Sequence, residues 1–180
     1  MNWIAFFSQT GSEIVNICEE INRWPDLIVT NRMDGFDKIN PELTKRLLNG
    51  KQRMLMVEKK PPVHRYDEAI RDGAIVTLHG WLRIVPEQIC SKYEIYNGHP
   101  GLITEHPELK GFNPQEKVFN SKLRYEKVGC VIHRVIPELD SGEVVAVSEV
   151  DNCFKSLEQL IGGLHGLSIQ LWTQFLNGKL

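Results

Sequence analysis

The feature that most constrains this chain is the repeated exchange of short, wholly apolar runs for amphipathic stretches along its length. A strand with one wet face alternates apolar and polar residues, whereas a strand covered on both faces reads as a continuous hydrophobic run. Runs such as Trp3-Ile4-Ala5-Phe6-Phe7, each followed by a segment of helical period, therefore predict an α/β fold with a mostly parallel sheet and helices on both faces. Residues 3–7 are the expected first strand. Gly11-Ser12 then opens a helix that places Ile14, Ile17, Cys18 and Ile21 on one face. A second strand is expected over 26–30, where Ile28, Val29 and Thr30 are β-branched. Pro41 starts a helix that stops at Asn49-Gly50. A third strand over 54–57, a short helix over 66–71 and a fourth strand over 74–78 follow.

The second half changes character. After a turn at Gly80-Trp81-Leu82-Arg83, Pro86 begins a short helix, and a strand over 94–96 enters Asn97-Gly98-His99-Pro100-Gly101. Two glycines and a proline in five residues predict that regular structure ends there. Asn113-Pro114 has the form of an N-cap and first-turn proline for a helix through Phe119. The β-rich runs 128–135 and 143–150, joined by Pro137-Glu138-Leu139-Asp140-Ser141-Gly142, predict neighbouring antiparallel strands. From Ser156 onward, Leu157, Leu160, Ile161, Leu164, Leu171, Trp172 and Phe175 form the stripe of a packing helix. No internal repeat, low-complexity tract or linker divides the sequence, so one domain over 1–180 is expected.

Composition narrows the partners. A formal net charge of -2 and a pI near 6.3 provide no field for capturing nucleic acid or an anionic membrane, so neither is expected as a partner. The four cysteines, Cys18, Cys90, Cys130 and Cys153, form no CxxC pair, which argues against a zinc ribbon or redox dithiol and suits a reducing compartment. The run at 3–7 is too short for a signal sequence or membrane span, and a cytoplasmic location is the expectation.

In an open α/β sheet, ligands bind beyond the carboxyl ends of the strands, where strand order reverses. Segments 8–12, 79–85, 97–101 and 137–142 fall at such ends, and their polar residues are expected to converge. Asn97 and His99 are two apart, so in extended backbone both side chains face one cleft. An asparagine amide can donate to a developing oxyanion, and an imidazole can move protons near neutral pH. Asp140 could orient that imidazole and favour its protonated form. Alternatively, Asn97 and His99 merely shape a turn. A metal-dependent hydrolase using His99, Glu105, His106 and Glu108 lacks helical HExxH spacing. A dinucleotide-dependent oxidoreductase would need G-x-G-x-x-G in the first turn, which is absent.

Three motifs in register carry a resemblance. Asn97-Gly98-His99-Pro100-Gly101 resembles the Asn-x-His-Pro-Ser signature of the folate-dependent formyltransferases, the family typified by glycinamide ribonucleotide transformylase. Gly80-Trp81-Leu82-Arg83-Ile84-Val85 is similar to its Gly-Phe-Met-Arg-Ile-Leu turn, and Glu138-Leu139-Asp140-Ser141-Gly142 to its Glu-Leu-Asp-Gly-Gly loop. The resemblance implies a Rossmann-type sheet with an antiparallel C-terminal element and 10-formyltetrahydrofolate as co-substrate, with no metal. It implies catalytic roles for Asn97, His99 and Asp140. Arg83, Ile84 and Val85 would contact the pterin through backbone and side chains, helped by Ile136, Pro137 and Glu138.

The implied activity is transfer of a formyl group to the amine of a small acceptor, phosphorylated or nucleotide-like in the glycinamide ribonucleotide manner, by a monomer or homodimer. The alternatives are a folate- or nucleotide-binding module without transfer, and an enzyme acting on a sugar nucleotide. Ser8-Gln9-Thr10-Gly11-Ser12-Glu13 stands where the ribonucleotide enzymes have Ser-Gly-Asn-Gly-Ser-Asn. Thr10, Gly11 and Ser12 are the resulting acceptor-binding candidates. Either their amides cradle an anion at the helix N-terminus, or Ser12 simply caps the helix. Gln9 replaces a glycine, and Glu13 adds a negative charge beside any such anion. Leu164-His165 stands where glycinamide ribonucleotide enzymes carry a Glu-His pair. His79, in place of a small residue, faces the acceptor pocket or packs at a strand end.

Overall fold

Five consecutive apolar residues leave Trp3–Phe7 no face to give to water, and this segment lies buried throughout in the interior of the sheet as β1. The structure, a computed structural model, describes residues 2–121 and 125–180. The remaining strands are β2 (Leu27–Thr30), β3 (Met54–Met56), β4 (Ile75–His79), β5 (Ile95–His99), β6 (Lys127–Arg134) and β7 (Val144–Asp151). The helices are α1 (Ser12–Ile21), α2 (Pro41–Leu48), α3 (Val63–Ala69), α4 (Glu87–Lys92), α5 (Pro114–Asn120) and α6 (Leu157–Asn177). Among the described residues the sheet order is β3-β2-β1-β4-β5-β6-β7. The first five strands pair in parallel, and β6 and β7 run antiparallel, as the sequence predicts.

Strand alternation sends Trp3, Ala5 and Phe7 to one core and Ile4 and Phe6 to the other. The first core is closed by Ile14 and Ile17 of α1 and by Leu160, Leu164, Leu171 and Trp172 of α6. The second is closed by Tyr66 of α3, Ile89 of α4 and Trp81. Helices thus cover both faces. The chain steps from β1 through β2 to β3 and then returns to β1's other side with β4, so strand order reverses between β1 and β4. None of the described helices is long and apolar enough to cross a membrane.

Three local expectations need correction. The strand expected over 94–96 runs further before the break: β5 continues to His99, because Asn97, Gly98 and His99 pair with His133, Ile132 and Val131 of β6. Asn113 occupies the position before α5 but sits in the left-handed region at φ 52°, and its side chain caps nothing. Its amide donates instead to the Glu116 carboxylate at 3.1 Å. The helix expected over 66–71 starts earlier, at Val63, directly after Pro62, and ends when Ile70 turns extended.

Candidate active site

The register of β5 on β6 sets Asn97 directly opposite His133. Their side chains meet, with Asn97 Nδ2 3.3 Å from His133 Nε2. Asp140 closes the group from the loop between β6 and β7, in left-handed backbone at φ 48°. One carboxylate oxygen lies 3.3 Å from His99 Nδ1 and accepts the Gly111 amide at 2.9 Å; the other lies 3.4 Å from His133 Nε2. His99 Nε2–H donates to the Leu109 carbonyl at 2.9 Å, and His133 Nδ1–H to that of Arg134 at 3.0 Å. Asn97, His99 and Asp140 are therefore brought together as the sequence predicts, and His133 joins them unforeseen. Its one signal was a polar residue directly after the apolar run 128–132, seven positions before Asp140.

Electrostatics partly opposes the sequence reading. Burial is the largest influence on His99 and holds its pKa below the ordinary 6.5, against the pull of Asp140 and the Leu109 carbonyl. Asp140 thus favours the protonated imidazole, as expected, while burial opposes it. Burial pushes the Asp140 carboxyl up, but His133, His99 and the Gly111 amide together outweigh it and hold the acid below its usual range.

Two clefts meet at this cluster. One, of about 240 Å³, is walled by Trp81, Leu82, Ile84, Asn97, His99, Phe112, Leu139 and Asp140, and a recess beside it adds Val85, Ile136, Pro137 and His133. Its rim is apolar and open, with Ile84 72% and Phe112 79% exposed. Such a rim suits a flat, largely apolar ligand. Of the residues expected there, Arg83 lines both cavities, but its guanidinium donates to the Lys59 and Leu82 carbonyls at 2.5 and 2.8 Å and braces the loop. Glu138 is exposed, on neither wall, and its carbonyl accepts the Ser141 amide at 3.3 Å.

The other cleft, of about 450 Å³, is walled by Thr10, Gly11, Ser12, Glu13, His79, His99, His165 and Ser168 among others. Gly11, at φ 74°, is the residue before α1 and has no side chain with which to cap that helix. Ser12 is inside the helix, so the expected Ser12 cap is not formed, and the Ser12 amide bonds to Thr10 Oγ1 at 3.2 Å. Glu13, in the first turn, accepts from His79 Nδ1–H at 2.8 Å and from the Ser168 hydroxyl at 2.7 Å. His79 Nε2 lies 2.8 Å from Thr77 Oγ1, which also accepts the Trp3 indole N–H at 2.8 Å. Burial raises the Glu13 pKa, but His79 and Ser168 prevail and keep it below the ordinary carboxylate value. His79 packs 4.8 Å from the Trp172 ring with its side chain fully buried, the strand-end alternative, at the edge of the cleft. Among the described residues, His99, Glu105, His106 and Glu108 form no group suited to a metal ion, and His106 pairs with Glu108 at 3.5 Å.

Comparison with known proteins bears on what these clefts hold. Residues 48–159 match the model of the Formyl transferase family. The phosphoribosylglycinamide formyltransferase of Dictyostelium discoideum is 31% identical over 87 residues, which are 42% of this chain and 40% of that protein. The methionyl-tRNA formyltransferase of Thermotoga neapolitana is 32% identical over 108 residues, 58% of this chain and 32% of that protein. The chain thus matches well under half the length of either curated relative. Among solved structures, phosphoribosylglycinamide formyltransferase from Anaplasma phagocytophilum superposes with a TM-score of 0.80 at 21% identity, covering 98% of this chain and 85% of that one.

Proposed function

The chain belongs to the formyl transferase family, and from that premise we propose that it moves a formyl group from 10-formyltetrahydrofolate to the amine of a small-molecule acceptor, with residues 1–180 acting as one domain. One observation carries this reading: His99 and its neighbour Gly98 stand on the walls of both clefts. A donor in the apolar-rimmed cleft and an acceptor in the larger one would meet at His99. The pterin would lie against the backbone of 83–85 and the side chains of Ile84, Val85, Ile136 and Pro137. Arg83 contributes by fixing that loop, and Glu138 stands outside the contact.

The chemistry asked of the cluster is limited. The acceptor amine attacks the formyl carbon, a C–N bond forms, and negative charge collects on the formyl oxygen. The Asn97 amide stabilises that oxygen, a contribution that is often the largest in acyl transfer. His99, whose Nε2–H is held by the Leu109 carbonyl, takes at Nδ1 the proton that the attacking nitrogen must lose, and Asp140, 3.3 Å from Nδ1, stabilises the imidazolium so formed. The proton then passes to N10 of the folate as the bond from N10 to the formyl carbon breaks. His133 holds Asn97 and Asp140 in place.

The test is direct: incubate the protein with 10-formyltetrahydrofolate and a panel of amines, and follow release of tetrahydrofolate. Amine-dependent release is the expected result. Saturable folate binding with no release across the panel would instead support a binding module without transfer.

A further inference from the structure

The larger cleft has the wrong charge for the acceptor that the family resemblance suggests. Its wall carries the Glu13 carboxylate and, among the described residues, no lysine or arginine. A phosphate dianion at the start of α1 would find the Ser12 amide already taken by Thr10 Oγ1 and no lysine or arginine among the described wall residues to neutralise it. The carboxylate would also repel it from the same first turn, in a half-buried setting where like charges interact far more strongly than at open surface. Nor is Glu13 a stray surface acid. His79, its side chain fully buried, and Ser168 each fix one of its oxygens, while Thr77 and Trp3 hold His79 from behind. The Glu13 side chain keeps 21% exposure. An oriented carboxylate at a cleft wall recognises hydrogen-bond donors.

We infer that Glu13 selects the acceptor, so that the cleft takes an unphosphorylated amine whose ammonium or hydroxyl groups donate to the Glu13 carboxylate. The inference rests on reading this cleft as the acceptor side. An amino sugar or a diamine fits that description; a phosphorylated amine does not.

The experiment separates this inference from the proposed reaction by reading binding without turnover. The wild-type protein and Glu13→Gln are each titrated with millimolar inorganic phosphate, and the amide resonances of Gly11 and Ser12 are followed by NMR. The expected result is no saturable shift in the wild type and affinity higher by roughly tenfold or more in the variant, since one like charge has been removed. Saturation of the wild type with shifts centred on Gly11 and Ser12 overturns the inference, as does a folded Glu13→Gln that behaves like the wild type. Should the variant not fold, the wild-type titration decides alone. With turnover, glucosamine and its 6-phosphate form a matched pair of probes. A higher kcat/KM for the phosphate ester would overturn the inference while leaving formyl transfer intact.

Discussion

Burial and charge pull His99 in opposite directions, and that contest makes a pH prediction. Its folded-state pKa is depressed below the ordinary 6.5, with burial the leading cause. Below about pH 6.5 the unfolded chain therefore takes up a proton that the folded chain refuses, so stability is full above that pH and declines as pH falls toward the folded value. Asp140 and Glu13, also depressed, add losses only at lower pH, as each is protonated through its folded value. Chemical denaturation between about pH 7 and pH 5 should show falling stability in the wild type and a flatter profile in His99→Gln. An unchanged slope in that variant would refute the assignment. The same residues predict catalytic behaviour. Asn97→Ala removes a donor that acts on charge present only in the transition state, so turnover should fall by about 10²–10³ while folate affinity is kept. Adding Asp140→Ala should cost much less than the product of the single losses, because the groups act on one developing charge. Independent, fully multiplicative effects in steady-state kinetics would show that they do not work as a unit.

At the scale of elements, β5 packs closely on α6 beside the larger cleft, which we propose takes the acceptor. A Cβ built on Gly98 would lie 2.6 Å from Trp172 Nε1, and the Trp172 side chain is fully buried. Gly98→Ala should therefore cost about 1–3 kcal/mol by overpacking, measurable as a lower denaturation midpoint. Because the displaced indole also packs on His79, the acceptor KM should rise more than the folate Kd; equal effects would indicate general loosening of the sheet. The elements themselves were mostly legible in the sequence, since β1 declares itself by an unbroken apolar run, β4 by an apolar run interrupted at Thr77, and α1 and α6 by a helical stripe. What escaped was non-local. The run Asn97-Gly98-His99-Pro100-Gly101 looks like a breaker, and only the ladder supplied by β6 keeps its first three residues in a strand. His133 was hidden for the same reason, because its partner across the register lies 36 positions earlier. The turning of Arg83 onto the Lys59 carbonyl, 24 residues away, leaves no local trace either. Glu13 was legible as a charge, but its fixation by His79 and Ser168, 66 and 155 positions distant, was not.

Across the whole molecule, the reversal of strand order at β1 and β4 gathers residues that the chain scatters: the loops after β1, β4 and β5 and the turn between β6 and β7 all reach the two clefts. A ligand that fills the smaller cleft therefore ties several separate segments to the native state and should stabilise the protein globally. At a folate-analogue concentration about a hundredfold above Kd the gain is roughly 2.7 kcal/mol, or about 5–10 °C in Tm for a chain of this size. The rim residue Ile84 gives this prediction its sharpest form. It is 72% exposed and belongs to neither core, so Ile84→Ser should leave the unliganded stability within about 0.5 kcal/mol of the wild type. Yet it stands on the wall of the proposed pterin site, where a serine offers far less apolar contact. Differential scanning fluorimetry with and without the analogue should thus show an unchanged Tm for the free variant and a clearly smaller ligand-induced rise. A rise equal to that of the wild type would place the folate elsewhere on the molecule, whatever the fate of the catalytic cluster.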